Sequence, residues 1–349
     1  MTFLQPLNLT IPLIQAPMAG TSTPALAAAV CNAGGLGSIA VGAGDPQAAG
    51  RMIAATRAAT DRPFNVNVFC HEPAAADAAR EAAWLKRLTP YFEKFGAQPP
   101  SRLREIYSTF VNDDAMLGVL LAERPAVVSF HFGLPPAGRI EALRAAGIFL
   151  LASATNIDEA RRAAAAGVQA VVAQGYEAGG HRGVFDPAKR DDQMGTLALT
   201  RLLVRELDVP VIAAGGIMDG AAMAAVLKLG AAAAQLGTAF VGCPESAADT
   251  GYRAALFSPA SHHTIMTRAI SGRPARCLAN HFTAIGQMSS KADVPQYPIA
   301  YDAGKALNAA AKAAGEFGYG AHWAGQGAPL ARALPAAELV AQLRDELNS

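Results

Sequence analysis

The stretch "GYEAGGHRG", residues 175–183, places an acid and a histidine among glycines directly after the apolar run "VQAVVA". Glycine lets a backbone approach a flat or bulky partner closely, or take positive φ angles that side chains forbid. A histidine in such a loop either serves chemistry or sits solvated in a plain turn, and the neighbouring segments must decide which. Two further apolar runs end in "AAGGIMDG" and "QLGTAF". Exposed backbone N–H groups at turns of this kind, near helix starts, favour a phosphate. Gly215, Gly216, Gly237 and Thr238 form the candidate cradle, with Ala214 and Gln235 just before them. Other runs end in polar or backbone-rich positions: Pro17, Met18 and Ala19 in "QAPMAG", then Asn67, His131 and Gln174. Converging on one face, such groups suit a flat heterocycle with alternating donors and acceptors, such as an isoalloxazine ring. In "QYPIAYDAGKAL", Tyr297, Tyr301 and Lys305 recur every four residues, which aligns them on one face of a helix. An amphipathic surface helix is the alternative for that stretch.

These residues need elements to position them, and short β-rich runs alternate with alanine-rich helical runs along the chain. Eight strands are expected, over residues 11–17, 36–42, 64–69, 126–132, 148–154, 169–175, 209–216 and 232–240. The helical runs "TPALAAAVCNAG", "AGRIEALRAAG", "NIDEARRAAAAG" and "DGAAMAAVLKLG" each end in a glycine suited to a left-handed C-cap. Eight such units predict an α/β fold, a TIM (β/α)8 barrel. The competing open doubly wound sheet lacks its GxGxxG signature after the first strand. Two stretches exceed the repeating unit. Residues 71–123, with helices expected in "WLKRLTPYFEKFG" and "SRLREIYSTFV", and residues 243–310 both leave from strand C-termini, where barrel enzymes build their sites. The expected organisation is a barrel from 1–70 and 124–242, closed by a C-terminal helix within 311–349, with the two insertions forming a lid or substrate region. The alternative for the insertions is self-association, as a homodimer.

Composition narrows the partners. The chain has 349 residues, 52% hydrophobic and 16% charged, with a formal net charge of +1, so it shows no electrostatic footprint for nucleic acid or an anionic membrane. Small molecules are the expected partners. Residues 1–44 carry no charged side chain, but Pro12, Pro17, Pro24 and "NAGGLG" break any membrane span, and no basic region precedes the apolar stretch as in a signal peptide. The four cysteines, at 31, 70, 243 and 277, form no CxxC pair, which argues for a reducing cytoplasm and against a zinc or redox site. Adjacent His262 and His263 lack an accompanying carboxylate motif, so no metal is expected there.

Taken together, "IPLIQAPMAG", "NAGGLG", "FNVNVF", "VVSFHFGLP", "GYEAGGHRG", "PVIAAGGIMDG", "QLGTAF" and "YPIAYDAGKAL" resemble a class I nitronate monooxygenase, the group formerly called 2-nitropropane dioxygenases. The match runs in order along almost the whole chain, and "AGGHRG" is its most specific piece. The resemblance implies a TIM barrel with non-covalent FMN. It implies oxidation of alkyl nitronates, propionate 3-nitronate first among them, with O2 to a carbonyl compound and nitrite by way of a flavin semiquinone, and hence detoxification. It also implies that Gly179 and Gly180 run close to the flavin while His181 faces the substrate, stabilising the anion or removing an α-proton. Tyr107, His131, Tyr252, Tyr297, Tyr301 and Lys305 are then the pocket walls, Lys305 adding positive potential. Glu177 is expected to be structural, because a carboxylate there would repel an anionic substrate. The segment "RAISGRPARCLANHF", notably Cys277 and His281, departs from the family pattern. Two alternatives share the phosphate turns: an FMN-dependent NAD(P)H:quinone or enoyl-thioester reductase, and a non-catalytic flavin- or phosphate-binding barrel.

Overall fold

Residues 7–349 are described in the computed structural model of the chain; the first six residues of the expected barrel segment 1–70 lie outside the described residues. In chain order the strands are β1 (Leu13–Gln15), β2 (Ser38–Ala40), β3 (Asn65–Phe69), β4 (Val127–His131), β5 (Phe149–Ala154), β6 (Ala170–Gln174), β7 (Gly180–His181), β8 (Val211–Ala214), β9 (Ala233–Leu236), β10 (Thr264–Thr267) and β11 (Ala275–Leu278). Eight of them form one sheet in the order β1-β9-β8-β6-β5-β4-β3-β2, and a parallel bridge between Ile14 and Leu36 joins its two edges. The result is the expected (β/α)8 barrel.

Parallel strands are covered on both faces, so alternate apolar residues face two different cores. Val127, Leu151, Val172 and Ile212 cluster with Ile14 and Leu36 and fill the barrel axis. Their neighbours Val128, Leu150 and Val171 pack outward against Ile53, Leu120, Ile140 and Leu143 of the surrounding helices. Those helices start and stop where local chemistry dictates. Thr23, Asn156 and Asp219 each accept a backbone N–H at an N-terminus. Gly34, Gly147, Gly167 and Gly230 take left-handed φ of 99°, 80°, 94° and 102° just past the C-termini. The last helix, Ala336–Asn348, buries Leu339, Val340 and Leu343 against Leu26, Val30, Met223 and Val226, closing the helical ring.

Three local expectations change. No helix forms in "SRLREIYSTFV": Phe110 N–H instead donates to Phe69 O at 2.8 Å and Thr109 Oγ1 to His71 O at 2.5 Å, so this stretch runs along the end of β3. The helix comes later, at Asp114–Glu123, capped by Asp113 and packed through Met116 and Leu120 into the barrel layer. The eighth barrel strand stops at Leu236, and Thr238–Val241 already forms a helical turn. Within "GYEAGGHRG", β7 pairs antiparallel with β11, His181 opposite Ala275 and Gly180 opposite Arg276. The two insertions share one core, in which Trp84, Leu88 and Phe92 of the helix Ala78–Glu93 meet Phe282, Ile299 and Leu307. No helix among the described residues is long and apolar enough to cross a membrane.

Candidate active site

A cavity of about 340 Å³ lies at the C-terminal ends of the barrel strands, roofed by the insertions. Every site residue predicted from the sequence lines it. Pro17, Met18 and Ala19 follow β1; Asn67 lies in β3, His131 ends β4 and Gln174 ends β6. Gly179, Gly180 and His181 come from the glycine loop, Ala214, Gly215 and Gly216 from the end of β8, and Gln235, Gly237 and Thr238 from the end of β9. Tyr107, Tyr252, Tyr297, Tyr301 and Lys305 descend from the insertions.

One end of the cavity is lined by backbone N–H groups. Ala214 of β8 pairs with Gln235 of β9, so the two strand ends lie side by side. The backbone N–H groups of Gly215, Gly216, Gly237 and Thr238 donate to no other group among the described residues. Gly215 and Gly216 take φ of 127° and 69°, which turns their backbone in a way that side chains resist. The cradle has a wall that the sequence analysis missed: Gly325 N–H donates to Thr238 Oγ1 at 2.9 Å, and a Cβ on Gly327 would come within 2.8 Å of Gly216 O. The paired glycines of "AGQG" were the available signal. Glu177 stays away from the cavity chemistry, because its carboxylate accepts Thr196 N–H at 2.9 Å and Thr196 Oγ1 at 2.8 Å. It caps the helix Thr196–Glu206, whose own N-cap is a glycine.

The other end carries imidazole, phenols and cations. His181 Nε2 lies 2.8 Å from Ser271 Oγ, while its Nδ1 has no protein partner among the described residues. The His181 carbonyl accepts from His131 Nε2 at 3.2 Å and from Gln174 Nε2 at 3.1 Å. A neutral imidazole that donates from Nε2 must accept at Nδ1, so Ser153 Oγ–H donates to His131 Nδ1 at 3.0 Å. Both ring nitrogens of His131 are thus engaged by protein groups, and it orients His181. Trp323, which no sequence signal marked, stands 5.1 Å from the His181 ring. Tyr297 precedes the helix Ile299–Ala313, yet it still joins Tyr301 around His181, with ring centroids at 5.3 and 6.1 Å. Lys305 lies over the rings of Tyr107 and Tyr301 at 4.9 and 5.4 Å. Tyr252 stacks on His322 and donates to Trp323 O.

Burial governs the charge state. Desolvation, reinforced by the neighbouring His131, the Arg273 guanidinium and His71, pushes His181 down to about 3. Desolvation likewise holds His131 and His71 at about 4, with Arg273 lowering both further. All three rings are neutral at physiological pH. Burial raises the Tyr297 phenol well above its ordinary value and Tyr301 to about 12, so both stay protonated donors. Desolvation also lowers Lys305, an effect that Asp302 opposes.

A (β/α)8 barrel with one deep cavity at its C-terminal strand ends, free amides at one side and neutral donors with a lysine at the other, defines a barrel enzyme acting on a small molecule. The chain belongs to the nitronate monooxygenase family, whose model, "Nitronate monooxygenase", matches residues 2–346. It is 66% identical to a nitronate monooxygenase of Paraburkholderia phytofirmans, covering 98% of this chain and 93% of the relative. It is 54% identical to one of Pseudomonas aeruginosa, covering 99% of each. Among solved structures it is similar to nitroalkane oxidase from Streptomyces ansochromogenes, with a TM-score of 0.88 at 41% identity over 98% of this chain and 96% of that one. It is also similar to FabK from Thermotoga maritima, with a TM-score of 0.75 at 29% identity over 100% of this chain and 96% of that one.

The lowered histidines make a prediction about stability. Unfolded histidines take up protons near pH 6.5, whereas folded His71, His131 and His181 resist until pH 3–4. Their favourable contribution is therefore complete above pH 6.5 and is lost as pH falls towards 4. At pH 5, unfolding should take up close to ~3 protons through these residues, so stability falls by about 4 kcal/mol per pH unit there. Urea unfolding at pH 7, 6 and 5 measures this; a midpoint unchanged across the series would show that the rings are not held neutral.

Proposed function

We propose that the enzyme binds FMN in this cavity and oxidises alkyl nitronates, of which propionate 3-nitronate is the first to try, with O2 to a carbonyl compound and nitrite. One observation carries the reading: a single cavity joins four unpartnered backbone N–H groups at the β8 and β9 ends to a wall of His181, Tyr297, Tyr301 and Lys305. The similarity to nitronate monooxygenases and to a nitroalkane oxidase supports it.

The residues present fit the cofactor. Gly215, Gly216, Gly237 and Thr238 would hold its one phosphate, and the Pro17–Ala19 segment, Asn67, Gln174, Gly179 and Gly180 would border its ring. Bound there, the flavin supplies the electron-accepting chemistry that side chains lack. The chain does the rest. Lys305 draws the anionic nitronate in, and the phenols of Tyr297 and Tyr301 narrow the space around it. His181 has two neutral tautomers, one presenting Nδ1–H to the cavity and one presenting a lone pair. A ring held at about 3 is a weak base at neutral pH, so we assign it the donor form, in which the one Ser271 Oγ–H turns from the Arg273 carbonyl at 3.2 Å to donate to Nε2 at 2.8 Å. His181 then hydrogen-bonds the nitronate oxygen and removes no proton. The layer formed by residues 71–123 and 243–310 acts as a lid that excludes water, and four buried free thiols suit a cytoplasmic enzyme.

The direct test is a spectrum of the purified protein, mass spectrometry of the released cofactor, and nitrite release on aerobic addition of propionate 3-nitronate. FMN and nitrite are expected. FAD would overturn the cofactor-site assignment, and bleaching by NADH under anaerobic conditions without nitrite release would point to a reductase on the same barrel.

Gly216→Asp should abolish FMN retention, because a carboxylate replaces an open N–H cradle with like-charge repulsion at a left-handed position. Wild-type flavin content in that variant moves the phosphate elsewhere. His181→Asn should keep its flavin while kcat/KM for nitronates falls by about 10- to 150-fold, the value of a charge-assisted hydrogen bond. A much larger loss for neutral nitroalkanes than for pre-formed nitronates would make His181 a base after all.

A further inference from the structure

Arg273 is 3% exposed, yet among the described residues it takes part in no ion pair. Its Nε has no hydrogen-bond partner among the described residues. A buried cation without a carboxylate is costly, so its neighbours should show what it does. One guanidinium nitrogen donates to the carbonyls of Val184 and Phe185, three and four residues beyond His181. The guanidinium carbon lies 4.3 Å from the Phe132 ring centroid. Phe132 lines the cavity, has a left-handed φ of 74°, and meets His181 edge-on at 5.6 Å. Ser271, two residues before Arg273, is the hydroxyl that holds His181 Nε2. One segment therefore reaches His181 along its ring, along the chain after it and through the aromatic wall beside it.

The nearby carboxylates have other partners. Glu159 accepts from Thr155 and from Phe185 N–H, and Asp186 accepts from Ala188 N–H. Arg268 donates to Pro187 O and adds no negative charge. Arg182, the other buried guanidinium on this loop, is neutralised by Asp191 at 2.8 Å. Two further cations lie nearby, Arg276, which pairs with Gly180 and donates to Tyr176 O, and Lys305 over the Tyr301 ring, whereas His131, His71, Tyr297 and Tyr301 are not ionised at neutral pH.

We propose that Arg273 is a positioning residue for the reaction: an uncompensated guanidinium behind the cavity wall that fixes Phe132 and the His181 loop and supplies the standing positive potential that favours an anionic substrate. The proposal rests on the nitronate reading above. It assigns that potential to a group that does not titrate near neutral pH, since burial brings Arg273 down only to about 10. The same charge opposes protonation of His181 and His131, which keeps His181 a neutral donor.

The test compares Arg273→Met, which removes the charge, with Arg273→Lys, which keeps it. In Arg273→Met, KM for a nitronate should rise about tenfold or more, while the affinity for the neutral nitroalkane of the same carbon skeleton, measured as KM or as Ki, changes by no more than about twofold. Arg273→Lys should recover most of the nitronate affinity. A second readout needs no turnover: in nitrogen-15 NMR of histidine-labelled protein as purified, His131 and His181 should take up protons at a higher pH in Arg273→Met than in the wild type, with burial still holding both below the ordinary imidazole value. Equal losses for anion and neutral analogue, no recovery with lysine, or histidine titrations unshifted in Arg273→Met would make Arg273 a packing residue only. Should Arg273→Met fail to fold, Arg273→Gln keeps an amide donor without charge and takes its place. Failure of the wild type to release nitrite would overturn the nitronate reading instead, and the histidine titration would still decide on Arg273.

Discussion

His131 and Gln174, from the ends of β4 and β6, both donate to the carbonyl oxygen of His181, and Gln174 Oε1 also accepts Gly183 N–H at 2.7 Å. Two barrel strands thereby grip the backbone of a loop that its glycines alone would leave mobile. The loop in turn lends β7 as an edge for β11, and the sheet of the second insertion is built outward from there. Ser271 and Arg273 lie on the approach to β11, so the same pairing brings both to His181. Without the shared carbonyl, His181 would lose its orientation, and the insertion sheet would lose its attachment to the barrel.

The cavity is polarised by this construction. At the β8 and β9 ends, neutral peptide N–H groups face inward with no acceptor of their own, a fixed dipolar site for an anion. At the far end the histidines are neutral, the phenols stay protonated, and the cations are Lys305 at the wall and Arg273 behind it. Glu177, the acid of the glycine loop, is turned onto the start of the helix Thr196–Glu206 and supplies the cap that Gly195 cannot. Negative charge is thus kept from both ends, in keeping with an anionic cofactor tail and an anionic substrate held within one water-poor space.

The barrel was legible in the sequence because its signals are local. Apolar runs of strand length, capping residues such as Thr23, Asn156 and Asp219, and glycines such as Gly34 and Gly230 each act within a few residues, and the helices they mark appear where expected. The strand-end residues were legible for a related reason: once eight parallel strands close, their C-termini must face one mouth, so Asn67, Gln174, Gly216 and Thr238 are brought together by topology. The stretch "SRLREIYSTFV" was misread because its backbone partner, Phe69 O, lies some forty residues earlier, and helical propensity loses to that long-range bond.

By itself, then, the sequence determined the barrel, the ring of helices, the glycine turns at the β8 and β9 ends and the candidates for the cavity wall, because periodicity, capping and turn chemistry are properties of neighbouring residues. Only the tertiary structure decided what those candidates do. That His131 holds the His181 carbonyl, that Ser271 meets the His181 ring, that Arg273 is buried with no ion pair among the described residues and that Gly325 and Gly327 close on the β8 and β9 ends are all contacts between segments distant in the chain. Charge state follows the same division, because desolvation and the field of other buried groups exist only once the chain has packed.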